Sequence, residues 1–286
     1  MTPRPELALV EGFERALINH RLHMAYQPKV RLRDGALTRV EALVRWEDAE
    51  FGSVPPSRFV PLAEKHGLIE ELTQWGLRTT LRQWLKWREQ GIDTCLAFNI
   101  SALSLEQLDF PDLVERMCRA LDVPTDRLVI ELTEGATLPL IKLMDTLTRF
   151  RIKGIGLAID DFGTGYSSLM QLRQLPFTEV KIDQAFIADV ERSRDCRLII
   201  QSITDLAHGL GLSATAEGVE TLQQLRLVRE LGCDVAQGYL ISPPLDPDSL
   251  KAWKLKFRRA WPAMIAGESF KSWRDVETDT LSEGQV

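Results

Sequence analysis

The chain has 286 residues, 44% of them hydrophobic and 27% charged, a globular balance that excludes wholesale disorder. Its 35 Lys and Arg against 41 Asp and Glu leave a net charge of −6. That argues against the basic surface of a non-specific nucleic-acid binder, and no DNA partner is expected. No run approaches the roughly 18 consecutive apolar residues of a membrane-spanning helix, and acids interrupt MTPRPELALVEGFERAL where a secretion signal is apolar; a cytoplasmic protein with no transmembrane segment is expected.

Residues 1–19 read as a helical lead-in. Met24–Arg31 and Leu37–Trp46 read as strands joined by Asp34-Gly35, a hairpin signal that makes the two antiparallel. Pro55–His66 and Leu68–Gln90 read as helices, the second stopped by Gly91. Then come a strand at Thr94–Ile100, a helix at Ser104–Leu121, a strand at Arg127–Leu132 and a helix at Leu138–Arg151. Ile155–Asp160 is a strand followed by the loop Asp161–Ser167, and Glu179–Ile182 is a short strand. A helix at Arg194–Leu210, a strand at Ser213–Ala216, a helix at Thr221–Leu231, a strand at Val235–Tyr239 and a helix at Asp246–Phe257 complete the order.

Alternating strands and helices imply an α/β protein with a parallel sheet. Eight strands fit a closed (β/α)8 barrel, with the hairpin as a departure: one strand runs against the others. No Pro/Gly/Ser linker interrupts residues 20–250, and 20–258 read as one domain, followed by a partly disordered C-terminal extension over 259–286. The run Lys251–Arg259 is basic and aromatic; a barrel helix whose lysines reach solvent accounts for it better than a membrane contact. Cys95, Cys118, Cys196 and Cys233 form no CxxC and no Cys/His cluster, and read mostly as buried reduced thiols.

In such a barrel, chemistry sits at the C-terminal ends of the strands. Glu41 lies in an apolar strand, Asn99 and Glu131 close two others, and Asp160-Asp161 end GLAID. Lys181 sits in VKID, Glu217 follows SATA, and Gln237 ends VAQG. Taken singly, Glu41 also fits an ion pair with Arg45 or Lys181, Asn99 a turn, and Asp160-Asp161 a cap before Gly163-Thr-Gly165. Together, five carboxylates (Glu41, Glu131, Asp160, Asp161, Glu217) against Lys181 leave a charge near −4 in one confined mouth. Buried like charges do not stay ionised without counter-charge. Two divalent cations would supply it, and ligands of oxygen alone suit Mg²⁺ or Mn²⁺ rather than zinc. Adjacent aspartates suit a two-metal site, one bridging and one binding a single ion.

The segment Glu41-Ala-Leu-Val-Arg45-Trp46 resembles the signature of the EAL-domain family, the bacterial cyclic di-GMP phosphodiesterases. Tyr26-Gln27-Pro28, Asn99-Ile-Ser101, Glu131-Leu-Thr-Glu134, Asp160-Asp-Phe-Gly-Thr-Gly-Tyr-Ser-Ser168, Lys181-Ile-Asp183, Ala216-Glu-Gly-Val-Glu220 and Gln237-Gly238 agree in order. The resemblance implies a modified TIM barrel with an antiparallel first strand, two Mg²⁺ or Mn²⁺ ions, and hydrolysis of cyclic di-GMP to linear pGpG. It assigns Glu41, Asn99, Glu131 and Asp160 to the first metal and Asp160 with Asp161 to the second. Lys181 would orient or help deprotonate the water, and Glu217 would act as base or as a water-mediated metal ligand. Gln27, Leu43, Arg45, Asp183, Glu220 and Gln237 would meet the substrate or its waters. Glu134 would brace the loop at 161–168, which in the family also serves a homodimer contact. A signalling partner is left unidentified. A barrel that binds cyclic di-GMP without cleaving it usually lacks the signature Glu, a ligand Asp or the loop, and all are present here. An enolase-type lyase would need three carboxylates on consecutive strands, a pattern Asp160-Asp161 fits poorly.

Overall fold

Asp34 and Gly35 reverse the chain at the first hairpin: the Gly35 N–H donates to the Arg31 carbonyl at 2.8 Å, and Arg31 bonds both carboxylate oxygens of Asp34. Gly35 has φ 69, and a β-carbon there would meet the Trp261 ring at 2.3 Å. The computed structural model describes residues 5–19, 21–133, 139–163 and 169–266.

The first elements are α1 (Pro5–Ile18), β1 (Leu22–Arg31), β2 (Leu37–Asp48), β3 (Gly52–Val54), α2 (Pro56–Lys65) and α3 (Ile69–Glu89). Next come β4 (Cys95–Asn99), α4 (Phe110–Ala120), β5 (Leu128–Thr133), α5 (Leu140–Ile152), β6 (Gly156–Phe162) and α6 (Leu169–Gln174). The last are β7 (Glu179–Ile182), α7 (Gln184–Ala188), α8 (Arg194–Gly209), β8 (Ser213–Ala216), α9 (Leu222–Glu230), β9 (Val235–Ala236) and α10 (Leu250–Ala266).

The sheet runs β1-β9-β8-β7-β6-β5-β4-β2-β3, and the further β1–β2 pairing closes eight strands into a barrel with β3 outside it. β1 is antiparallel to both neighbours, and the other barrel pairings are parallel. The modified barrel with a reversed first strand is therefore as the sequence implied.

Local chemistry explains where elements start. Thr221 and Gln224 form a reciprocal capping box at α9, the Asp183 carboxylate caps α7, and the Ser193 hydroxyl caps α8. The helix expected over Ser104–Leu121 is instead a 3-10 turn at Ala102–Glu106 and α4. Pro111 lacks a backbone N–H, so it fits the first turn of a helix and not its middle. The expected last strand is only Val235–Ala236.

The strands are buried on both faces, as parallel strands between helices and a barrel interior must be. Outward residues such as Val180 and Ile182 pack in the main apolar core with Leu157, Ile200 and Ala214. A second core joins Phe13 of α1 to Trp46 and Phe59. Trp253, Phe257 and Trp261 of α10 point inward, so the aromatic residues of the basic run are core, and the helix continues past residue 258 to Ala266. Of the cysteines, Cys118 and Cys233 are buried, but Cys95 and Cys196 are partly exposed, because they fall outside the fully covered layer. Among the described residues no helix is long and apolar enough to cross a membrane.

Candidate active site

Side chains alternate across a strand, so residues two apart share the barrel interior. Gln27 and Lys29 on β1, Arg39 and Glu41 on β2, and Glu179 and Lys181 on β7 are such pairs. Their contacts cross the interior between strands that are not neighbours. Lys29 on β1 bonds Glu131 on β5, and Arg39 on β2 bonds Glu179 on β7. Barrel interiors are commonly layered with branched apolar side chains; this one carries alternating charge from floor to mouth.

At the C-terminal mouth, Lys181 Nζ lies 2.8 Å from Glu131 Oε2, 2.8 Å from Asp160 Oδ2, 2.9 Å from Glu217 Oε1 and 3.8 Å from Glu41 Oε2. Asn99 donates its amide to Glu41 Oε1 at 2.7 Å. The Gln237 amide donates to Glu41 Oε2 at 2.8 Å and to Gln27 Oε1 at 2.9 Å, and Gln27 donates on to the Ser242 carbonyl. The Asp161 N–H donates to Asp160 Oδ1 at 2.9 Å, with Asp161 at φ 54, a left-handed conformation uncommon outside glycine. The two adjacent carboxylates are thus turned toward one cavity.

That cavity has a volume of about 520 Å³ and is lined by Gln27, Glu41, Leu43, Asp160, Asp161, Lys181, Asp183, Glu217, Glu220 and Gln237 among others. Ten of the residues singled out in the sequence therefore share it. Leu43 also borders a second, more apolar cavity of about 570 Å³, on which Asn99 lies. Glu131 is fully buried beneath Lys181. Arg45 is half-buried, with Nη1 on the Val44 carbonyl. Glu134 and residues 164–168 fall outside the described residues.

One correction concerns charge. Lys29, not weighed in the sequence, is fully buried, bonds Glu131 Oε1 and stands 3.5 Å from Glu41 Oε2. Five carboxylates and two lysines give −3 in place of −4. The signal was present: Lys29 is two residues from Gln27 and so shares its face. Tyr239 at the cavity rim, 59% exposed, was also missed.

The electrostatics follow from burial against attraction. Burial opposes charge on Glu41, but Lys181, Lys29 and the amides of Gln237 and Asn99 pull its carboxyl down to about 2. Burial lifts Glu131 above its ordinary value against the pull of Lys181 and Lys29. Burial would strip the proton from Lys181, yet Glu131, Glu41, Glu217 and Asp160 hold it well above the ordinary lysine value. Burial and then repulsion by Asp160 push the Asp161 carboxyl up to about 6. Burial raises Glu217 well above the carboxylate range, against Lys181.

The donor set fits hard divalent cations. Carboxylate oxygens of Asp160, Asp161 and Glu217 lie within 4.8 Å of one another. The amide oxygen of Gln237, which lines the same cavity, is buried with no hydrogen-bond partner. Oxygen ligands without sulfur or imidazole match Mg²⁺ or Mn²⁺.

Comparison with known proteins agrees with this geometry. The family model for the EAL domain matches residues 11–244. A cyclic di-GMP phosphodiesterase of Pseudomonas aeruginosa, PA2567, is 40% identical over 232 residues, 81% of this chain and 40% of that protein. The bifunctional diguanylate cyclase/cyclic di-GMP phosphodiesterase MucR of the same species is 37% identical over 249 residues, 86% of this chain and 36% of its own length. This chain thus spans only about two fifths of these relatives or less. The PaMucR phosphodiesterase, solved as a c-di-GMP complex, superposes with a TM-score of 0.80 at 37% identity, covering 85% of this chain and 99% of that one. With the reversed first strand, the Glu41 signature and the paired aspartates at one mouth, the match over most of its length makes this chain a member of the EAL domain family.

Proposed function

We propose that this chain hydrolyses one 3′,5′-phosphodiester of cyclic di-GMP to linear pGpG, using two Mg²⁺ or Mn²⁺ ions. The observation that carries the reading is the convergence of Asp160, Asp161 and Glu217 beside Lys181 in one cavity, in a family whose relatives bear the names of cyclic di-GMP phosphodiesterases.

When bound, the ions would supply Lewis acidity at a phosphoryl oxygen and a water of lowered pKa. Asp160 would hold both ions, Asp161 the second, and Glu41, Asn99 and Glu131 the first. Each Glu131 oxygen accepts from one lysine and keeps a further lone pair, so Glu131 would share its charge between the ammoniums and the ion. Glu217 is grouped with the two aspartates and would act beside the second ion, as base or through a shared water.

Lys181 is an ammonium ringed by carboxylates. It has donors and no lone pair, so it orients the attacking water rather than taking its proton. Arg45 and Gln27 would meet the phosphate and backbone, and Leu43 would pack against the substrate. Asp183 and Glu220 would line the guanine side, and Gln237 would order waters. Glu134 would brace the 161–168 loop.

A homodimer belongs to the same reading. Leu140, Ile141 and Met144 at the start of α5 are exposed, Ile141 at 84%, which is surface a second copy would cover. A cytoplasmic location with a separate signalling partner completes it.

The test is incubation of the purified protein with cyclic di-GMP, with and without Mg²⁺ or Mn²⁺, and chromatography of the products. Metal-dependent pGpG is expected. Binding without cleavage would reduce the chain to a receptor, and absence of binding would remove the substrate.

A further inference from the structure

Glu131 has both oxygens engaged before any metal arrives, Oε1 by Lys29 and Oε2 by Lys181 at 2.8 Å. Glu41 Oε2 faces the same two ammoniums at 3.5 Å and 3.8 Å. The two lysines are not equivalent. Lys181 reaches the outer carboxylates Asp160 and Glu217 and lines the cavity. Lys29 lies deeper, with no solvent exposure, and of the mouth carboxylates its ion pairs reach only Glu41 and Glu131.

Two carboxylates at that depth would repel each other, and in a low-dielectric interior they would take up protons or draw in a cation. Lys29 occupies the place such a cation would otherwise fill, and its covalent attachment to β1 means that it cannot leave. We propose that Lys29 is a fixed counter-ion of the metal site. It offsets part of the charge of the inner pair Glu41 and Glu131 while leaving them lone pairs for the first ion, keeps the barrel interior folded without metal, and leaves the charge of Asp160, Asp161 and Glu217 to the divalent ions. The inference rests on the reading that the cavity takes such ions.

Two consequences follow. A buried ammonium repels a divalent cation at short range, so Lys29 weakens metal affinity while it stabilises the metal-free fold. Lys29 is also a positioning residue, since it holds Glu131 at the depth where Lys181 can reach it.

The test compares Lys29→Met, similar in length and uncharged, with Lys29→Arg, which keeps the charge. Mn²⁺ affinity is read by calorimetry, and thermal unfolding is read with metal removed and with saturating Mn²⁺. Lys29→Met is expected to bind Mn²⁺ at least about tenfold tighter than wild type, to unfold several degrees lower without metal, and to regain that loss with Mn²⁺. Lys29→Arg is expected to stay near wild type in both measurements. A Lys29→Met protein that folds only when Mn²⁺ is added supports the proposal equally. If it fails to fold at any Mn²⁺ concentration, Lys29→Gln carries the same comparison. Unchanged or weaker Mn²⁺ affinity together with unchanged metal-free stability would overturn the counter-ion role. If the wild type itself binds no Mn²⁺, the metal reading falls, and the metal-free comparison of Met against Arg still decides whether Lys29 balances charge.

Discussion

Gly238 lies against Val219 so closely that a β-carbon on it would sit 2.2 Å from both the backbone nitrogen and the oxygen of Val219. The Val219 N–H donates to the Gln237 carbonyl at 2.9 Å, and its carbonyl accepts from Leu240 at 3.0 Å. This backbone clasp holds Gln237 where its amide reaches both Glu41 and Gln27. Gly238→Ala is expected to cost at least about 2 kcal/mol of stability, because backbone must move to make room. Displacing Gln237 by about 1 Å should also lower turnover about a hundredfold. Urea unfolding and initial rates check the two; a stable, fully active variant would mean that the clasp yields without moving Gln237.

The cysteines separate by burial. Burial first of all pushes the thiols of Cys118 and Cys233 up to about 11. The thiolate is the reactive form, so at pH 8 both are almost wholly protonated, and their reactivity rises only as the pH approaches 11. Cys95 and Cys196 are partly exposed. A thiol-reactive disulfide reagent at pH 8 should label Cys95 and Cys196 in the native protein, and Cys118 and Cys233 only after unfolding. Rapid native labelling of Cys118 or Cys233 would contradict their burial.

Asp160 carries the two-metal reading. One of its oxygens accepts from the Asp161 N–H and the other stands 2.8 Å from Lys181. Asp160→Asn keeps the shape and an acceptor but removes the charge. It is expected to abolish pGpG formation and to weaken Mn²⁺ binding at every site detected by calorimetry. Activity near that of wild type would end the assignment of Asp160 as a bridge.

Much of this site was legible because period-two patterns mark which face a residue takes. In GLAID and VKID, polar residues interrupt apolar runs at the strand ends, which marks Asp160 and Lys181; Asp161, next to Asp160, would face away by period two and shares the cavity because its backbone is left-handed and the β6–β7 register shifts there. A pattern within one strand does not say which residue across the barrel completes the contact. Lys29 and Glu131 are 102 residues apart, and nothing local couples them. The reading of Asp183 as a substrate-facing acid passed over its second task, capping the five-residue α7. Such short elements, β3 and α6 among them, are held by tertiary contacts and leave little periodicity to detect.

For Lys181 the sequence left two roles open, orienting the water or deprotonating it, and the pH profile distinguishes them. Four carboxylates surround its ammonium within 3.8 Å. Lys181→Ala is expected to lower kcat by about 10²–10⁴, the usual range for a positioned proton donor or acceptor, with KM little changed. Removing a cation from among carboxylates should leave Mn²⁺ affinity equal or higher, which a purely structural loss would not do. A donor that orients water is used in its protonated form, and the carboxylates hold this lysine well above the ordinary lysine value, so it stays an ammonium and the wild-type rate should show no alkaline rise assignable to it up to pH 9. Loss confined to KM would make Lys181 a binding residue, and an alkaline rise in kcat that vanishes in Lys181→Ala would restore it as a base.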